Sequence, residues 1–255
     1  MTDHDGTAWL TSRPIAHRGM PDDAEGRPEN SLAAFRHATS LGVPFEFDVQ
    51  LTADGQPVVL HDADTRRMTG AGGPVGELTM ADVRALRLTG TDEPIPTMDE
   101  VLSVVDGAVP VVVDVRRWGV GGTAELETAV ADRLRGYGPD AVTQSFDPLA
   151  VRRLRSRLPD RAVGQASGSL KSAAPVARVL GQMMLTNALT RPDFVTFELA
   201  LLPNRYASFW RSRNRPLIAY TAYSEADEER ACAVADGCYF NGYVPKVYRD
   251  KVNRD

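Results

Sequence analysis

Cysteine and histidine are scarce in this 255-residue chain, with two and four copies respectively, and each scarcity removes a class of explanation. Cys232 and Cys238 lie in one segment, too few for a disulfide framework and without the paired spacing of a zinc site. Both are expected to be reduced core thiols. No apolar stretch approaches the ~18 residues of a membrane span, and the opening MTDHDGTAWLTSRP lacks the charged-then-apolar pattern of a secretion signal, so no integral membrane segment is expected and the expected location is cytoplasmic. The net charge of −5 is not the Lys and Arg surplus of a general nucleic-acid binder, although a local basic pocket stays open. No internal repeat or low-complexity tract is visible, and oligomeric state carries no signal.

What is present is a balanced composition, 43% hydrophobic and 25% charged, over a length close to the roughly 250 residues of a barrel of eight βα units. A single domain over residues 1–255 is therefore expected. Eight β-rich apolar runs, at residues 14–17, 43–49, 109–115, 141–145, 161–165, 193–197, 216–220 and 237–240, alternate with amphipathic stretches. That alternation predicts an α/β fold with a parallel sheet, a TIM (β/α)8 barrel. Helices are predicted from Ser31, where Leu32, Phe35, Ala38 and Leu41 share a face and Gly42 supplies a stop, and after the N-cap types Asp147 and Ser224. Residues 63–99 interrupt the rhythm with Gly and Pro punctuation and one short helical piece. They predict a small insertion over the barrel mouth with no core of its own.

Two of the four histidines, His17 in PIAHRG and His61 in PVVLHD, end apolar strands, and strand C-termini converge on the active face of a barrel. Glu46 and Asp48 stand two apart in FEFDV, so alternation aims both at one face while Phe45 and Phe47 take the other. Two carboxylates aimed together repel unless a positive charge sits between them, and hard oxygen ligands suit Mg²⁺ or Ca²⁺. The alternative is an edge strand with solvated acids, against which the flanking apolar residues argue. Asp114 closes VPVVVD with Arg116 two residues on, so this acid is either a third metal ligand or the mate of Arg116.

The ordered series HRG (17–19), PENS (28–31), EFD (46–48), T-x-DG (52–55), PVVLHD (57–62), IPTMDEVL (95–102) and QSFDP (144–148) closely resembles the glycerophosphodiester phosphodiesterase family. The resemblance implies a TIM barrel with a small insertion after the second histidine. It also implies that His17 and His61 are a general acid/base pair, that Glu46 and Asp48 bind a divalent cation, that Arg18 holds a phosphate oxygen and that Asn30 supports the site. Where the family usually shows Glu-x-Lys, this chain has Asp114-Val115-Arg116, which keeps charge but shortens the acid and replaces a point charge with a fork. Near the C-terminus Tyr220-Thr221 and Asn241-Gly242 also depart from the family pattern, which bears on substrate preference.

The implied reaction is hydrolysis of a small-molecule phosphodiester to glycerol 3-phosphate and an alcohol, by water or through attack of the glycerol 2-hydroxyl. Lysophospholipase D or sphingomyelinase D-like cleavage is the rival activity, for which Trp118 and Phe146 would line an apolar mouth, although ordinary rim packing is the favoured expectation for both. A ligand-binding barrel without catalysis is the rival of another class. Lys171, Glu198 and Tyr220 sit near presumed strand ends, either as further substrate contacts or as structural or solvated residues.

Overall fold

The computed structural model describes residues 5–118, 122–138, 140–170 and 175–252. One sheet runs in the order β1-β9-β8-β7-β6-β5-β4-β2-β3, and a further β1–β2 pairing closes it. Its strands are β1 (Ile15–His17), β2 (Phe45–Leu51), β3 (Pro57–Val59), β4 (Val111–Val115), β5 (Ala141–Ser145), β6 (Val163–Ser167), β7 (Phe194–Glu198), β8 (Leu217–Ala222) and β9 (Gly237–Phe240). Eight of them, all but β3, are the parallel strands of a TIM barrel, and each matches one of the eight apolar runs read from the sequence. The chain packs as two compact units, Ala16–Ala141 and Met1–Ile15 with Val142–Asp255.

In the unit Ala16–Ala141, β2 pairs in parallel with β1 and β4, and the register sets His17 beside Glu46 and Asp48 beside Asp114. Helix α1 (Leu32–Ser40) starts where the Ser31 side chain accepts from Ala34 N, and lays Phe35 on the outer face of β2, 4.8 Å from the Phe45 ring and 5.8 Å from that of Phe47. With the phenylalanines on that side, pleating leaves Glu46, Asp48 and Gln50 on the other. Aromatic burial thus orients the acids.

Strand β3 is where the structure departs from the reading. His61 does not end a barrel strand: β3 runs antiparallel to β2 with Val59 opposite Val49, after a turn at residues 52–56 in which Thr52 Oγ1 accepts from Gln56 N. A strand of three residues is too short to show direction in its pattern. The hairpin folds the chain back so that Leu60 N donates to Asp48 O, which delivers His61 to the level of the acids.

The excursion beyond His61 contains α2 (Arg66–Thr69) and α3 (Met80–Ala85), and α4 (Met98–Val105) follows it. Capping boxes at Thr79/Asp82 and Thr97/Glu100 start α3 and α4. The apolar residues of the excursion, Met68, Val75, Val83, Leu88 and Ile95, are buried in one cluster with Val58 and Leu60 of the β3 segment. Its apolar residues come singly between turns, so no periodic run announced it.

In the other unit, α5 (Pro148–Arg157) and α6 (Glu225–Val234) begin at the predicted caps Asp147 and Ser224. Cys238 is buried with Phe197, Leu217 and Trp210 in this unit's core, but Cys232 is exposed. The expectation of two core thiols fails for Cys232, because it falls on the solvent side of α6. Among the described residues no helix is long and apolar enough to cross a membrane.

Candidate active site

Glu46, Asp48 and Asp114 are all buried, and one carboxylate oxygen from each lies within 4.8 Å of the others. Three buried carboxylates at this spacing form an all-oxygen donor set that fits a hard divalent cation. Charge crowding supports the fit: burial first, then the charges of Asp48 and Asp114, push the Glu46 carboxyl well above its ordinary range. Burial would raise Asp48 as well, but the charges of Arg18 and Arg116 and a hydrogen bond from Asn30 outweigh it and hold Asp48 at about 2. Asp48 is the fixed anion of the group, and Glu46 is the acid that most needs a cation beside it.

The surrounding side chains are tied to these acids. Asn30 Nδ2 donates to Asp48 Oδ2 at 2.9 Å. Arg18 N donates to Glu46 Oε2 at 3.1 Å, and its Nε, which makes no hydrogen bond among the described residues, is buried 3.5 Å from Asp48 Oδ2. Arg18 holds this pose with a positive φ of 63°. Gly19 follows at φ 83°, where a Cβ would meet Ala34 Cβ and the Phe35 ring at 3.0 Å, so glycine is required after Arg18. Arg116 Nε lies 3.6 Å from Asp48 Oδ1, and its guanidinium covers the Trp118 ring at 5.1 Å.

His17 Nε2 is 3.8 Å from Glu46 Oε2. Burial, and next the Arg18 charge, lower its pKa to about 3. Burial is also the chief cause lowering His61. Both imidazoles are therefore neutral at pH 7, and each feels Arg18 and Arg116. The eight residues expected to act in catalysis, cation binding or phosphate binding, His17, Arg18, Asn30, Glu46, Asp48, His61, Asp114 and Arg116, fall within the unit Ala16–Ala141.

Several supporting residues escaped the sequence reading. Gln50 continues the Glu46, Asp48 alternation, and its Nε2 donates to Leu60 O and Asp62 O, each at 2.6 Å, gripping the backbone on both sides of His61. Its Oε1 accepts from Trp118 Nε1 at 2.9 Å. The Asp62 carboxylate lies 2.7 Å from His61 Nδ1. Burial would raise Asp62, but hydrogen bonds from Arg67 and then His61 outweigh it and keep the acid ionised. Asp62 was legible as the neighbour of His61, and Glu29 as the neighbour of Asn30 in PENS. Arg67, on the excursion, carried no signal.

A cavity of about 470 Å³ opens beside Arg116 and Gln50, lined also by Trp118, Glu77, Pro74 and Leu126. Trp118 is 47% exposed there. The other predicted contacts have structural partners within their own unit: Glu198 accepts from Ser169 N at 2.7 Å, Tyr220 donates to Ser167 O at 2.8 Å, and Phe146 meets the Tyr220 ring edge-on. Lys171 lies outside the described residues.

Comparison with known proteins follows the same lines. The chain is 31% identical over 162 residues to a glycerophosphodiester phosphodiesterase of Caldanaerobacter subterraneus, a match covering 59% of this chain and 64% of that protein. It is 35% identical over 118 residues to lysophospholipase D GDPD1 of Rattus norvegicus, covering 41% of this chain and 36% of that one. The matches thus span less than two thirds of these relatives. Among solved structures, an Oleispira antarctica phosphodiesterase in complex with the product sn-glycerol-3-phosphate superposes with a TM-score of 0.78 at 22% identity, covering 97% of this chain and 99% of that one, which shows the shared fold. The family model of the glycerophosphoryl diester phosphodiesterases matches residues 17–240, from the first site histidine to the end of the last strand, and the chain belongs to that family.

Proposed function

We propose that this chain hydrolyses glycerophosphodiesters to glycerol 3-phosphate and an alcohol, using a divalent cation, Mg²⁺ or Ca²⁺, and the pair His17 and His61. One observation carries the reading: three buried carboxylates within 4.8 Å share a site with two neutral imidazoles and two arginines. A phosphodiester anion resists attack because its oxygens repel nucleophiles and its alkoxide is a poor leaving group. Bound at Glu46, Asp48 and Asp114, the cation would supply Lewis-acid neutralisation of the phosphoryl oxygens. Arg18 and Arg116 add fixed positive charge at the same place, with Arg18 Nε, which makes no hydrogen bond among the described residues, as a donor for an oxygen.

Both imidazoles rest neutral, so either can accept the nucleophile's proton. An arriving anion raises the proton affinity of the imidazole facing the leaving oxygen, which prepares that one to donate. Water and the glycerol 2-hydroxyl make the same demands on this pair. Purified protein supplied with Mg²⁺ or Ca²⁺ should release glycerol phosphate from glycerophosphocholine, glycerophosphoethanolamine or glycerophosphoglycerol. No release from any of them overturns the reading.

A second reading, cleavage of a lysophospholipid, draws on the cavity walled by the exposed Trp118 and on the likeness to rat lysophospholipase D GDPD1. Faster turnover of lysophosphatidylcholine than of the water-soluble diesters would favour it.

A further inference from the structure

His61, Asp62, Arg67, Glu29 and Arg18 form an unbroken line of polar contacts although they come from three separate stretches of chain. Asp62 Oδ1 lies 2.7 Å from His61 Nδ1, and Asp62 Oδ2 accepts from Arg67 Nε. Arg67 Nη2 donates to Glu29 Oε1 at 2.6 Å, and the same oxygen accepts from Arg18 Nη1 at 2.8 Å. Arg67 reaches the two carboxylates from separate nitrogens of one planar fork, a fixed geometry that an ammonium lacks.

From this geometry we infer that Glu29 and Arg67 are positioning residues: they form a bracket that fixes His61 through Asp62 at one end and the Arg18 guanidinium at the other. The inference rests on the proposed hydrolysis for its kinetic effects and stands alone for its structural ones. An ionised carboxylate only accepts, so Asp62 requires His61 Nδ1 to carry the proton and leaves Nε2 with its lone pair. A carboxylate held on one oxygen only can rotate about its bond to Cβ. Arg67 takes the second oxygen and stops that rotation. At the far end, Glu29 accepts from both arginines at once, which restrains Arg18 between its backbone bond to Glu46 and its side-chain bond to Glu29.

The bracket contributes little to stability. Arg67 is 48% exposed and Asp62 28%, and exposed ion pairs of this type are individually weak. Loss of Arg67 should therefore move catalysis far more than folding, because displacement of a catalytic group by ~1 Å costs roughly 10²-fold. The bracket also ties α2, on the excursion, to the site.

The test uses the full chain, ¹⁵N-labelled, with the imidazole tautomer of His61 read from long-range ¹H–¹⁵N correlations assigned by comparison with His61→Asn. In the wild type His61 should be the Nδ1–H tautomer. Arg67→Met should shift it to a mixture and lower kcat about ten- to a hundred-fold, with the melting temperature within a few degrees. Arg67→Lys should recover part of that loss. Glu29→Gln should lower kcat and raise KM, since it also releases Arg18. The Arg67→Met/Glu29→Gln double variant should lose less than the product of the single losses. A wild-type tautomer in Arg67→Met, or losses in the two variants that multiply, would overturn the bracket. If the wild type turns over no diester, the proposed function falls while the tautomer still decides the bracket.

Discussion

The two compact units bury polar groups of different kinds. In Ala16–Ala141 the buried set includes four carboxylates, Glu46, Asp48, Asp114 and Glu127. In the other unit the buried polar residues described are neutral: Thr143, Gln144, Ser145, Gln165, Ser167, Asn187, Thr190 and Thr196. An amide or hydroxyl can be paired without an opposing charge, as Gln144 Oε1 is by the Tyr239 hydroxyl at 2.9 Å and as Gln165 Nε2 is by Ser145 O at 3.1 Å. A buried carboxylate needs an opposing charge. Glu127 has Arg117 at 2.7 Å, an ordinary structural pair. Glu46, Asp48 and Asp114 crowd against one another, with Arg18 and Arg116 both beside Asp48, and a divalent cation would relieve that crowding.

This contrast breaks first at Asp48. Asp48→Ala should abolish detectable cation binding and lower kcat/KM on the order of 10³-fold, because it removes a donor and uncouples Arg18, Arg116 and Asn30 together; steady-state kinetics and a cation titration check both. Next in size, His17→Ala and His61→Ala should each lower kcat by about 10² to 10⁴ while leaving cation affinity within a few-fold, measured by the same two methods.

The third prediction concerns pH. Glu46 has a folded pKa raised above its unfolded value, so without cation it contributes stability that is full below the ordinary carboxylate range and is lost as pH rises through the folded pKa. A cation bound at Glu46, Asp48 and Asp114 would take the place of that proton. The rise in melting temperature produced by Mg²⁺ or Ca²⁺ should therefore grow with pH, and Glu46→Gln should flatten the trend in differential scanning fluorimetry. His17 works in the opposite sense: depressed to about 3, it contributes stability present above the unfolded imidazole range and lost as pH falls from about 6.5 towards 3. The smallest effect belongs to the neutral unit, where Tyr239→Phe should cost about 1 kcal/mol in denaturant unfolding and leave kcat unchanged.

Most of the barrel was legible because its strands are short apolar runs bounded by turns, a pattern that survives without any knowledge of contacts. The paired acids were legible for a related reason, since alternation in FEFDV tells which face each residue takes once Phe45 and Phe47 are assigned to the core. The direction of β3 was not, because three residues define no period. Nor was the Arg67 to Glu29 contact, which joins residues 38 apart on segments without regular spacing. Cys232 was misplaced because cysteine is buried by habit of type, while its helix position faces solvent.

A cation titration by calorimetry, run on the wild type and on a Glu46→Gln/Asp48→Asn/Asp114→Asn variant that retains the wild-type circular dichroism, tests the account most directly. One divalent ion per chain in the wild type and none in the variant is the predicted result. Equal binding by both proteins would contradict it.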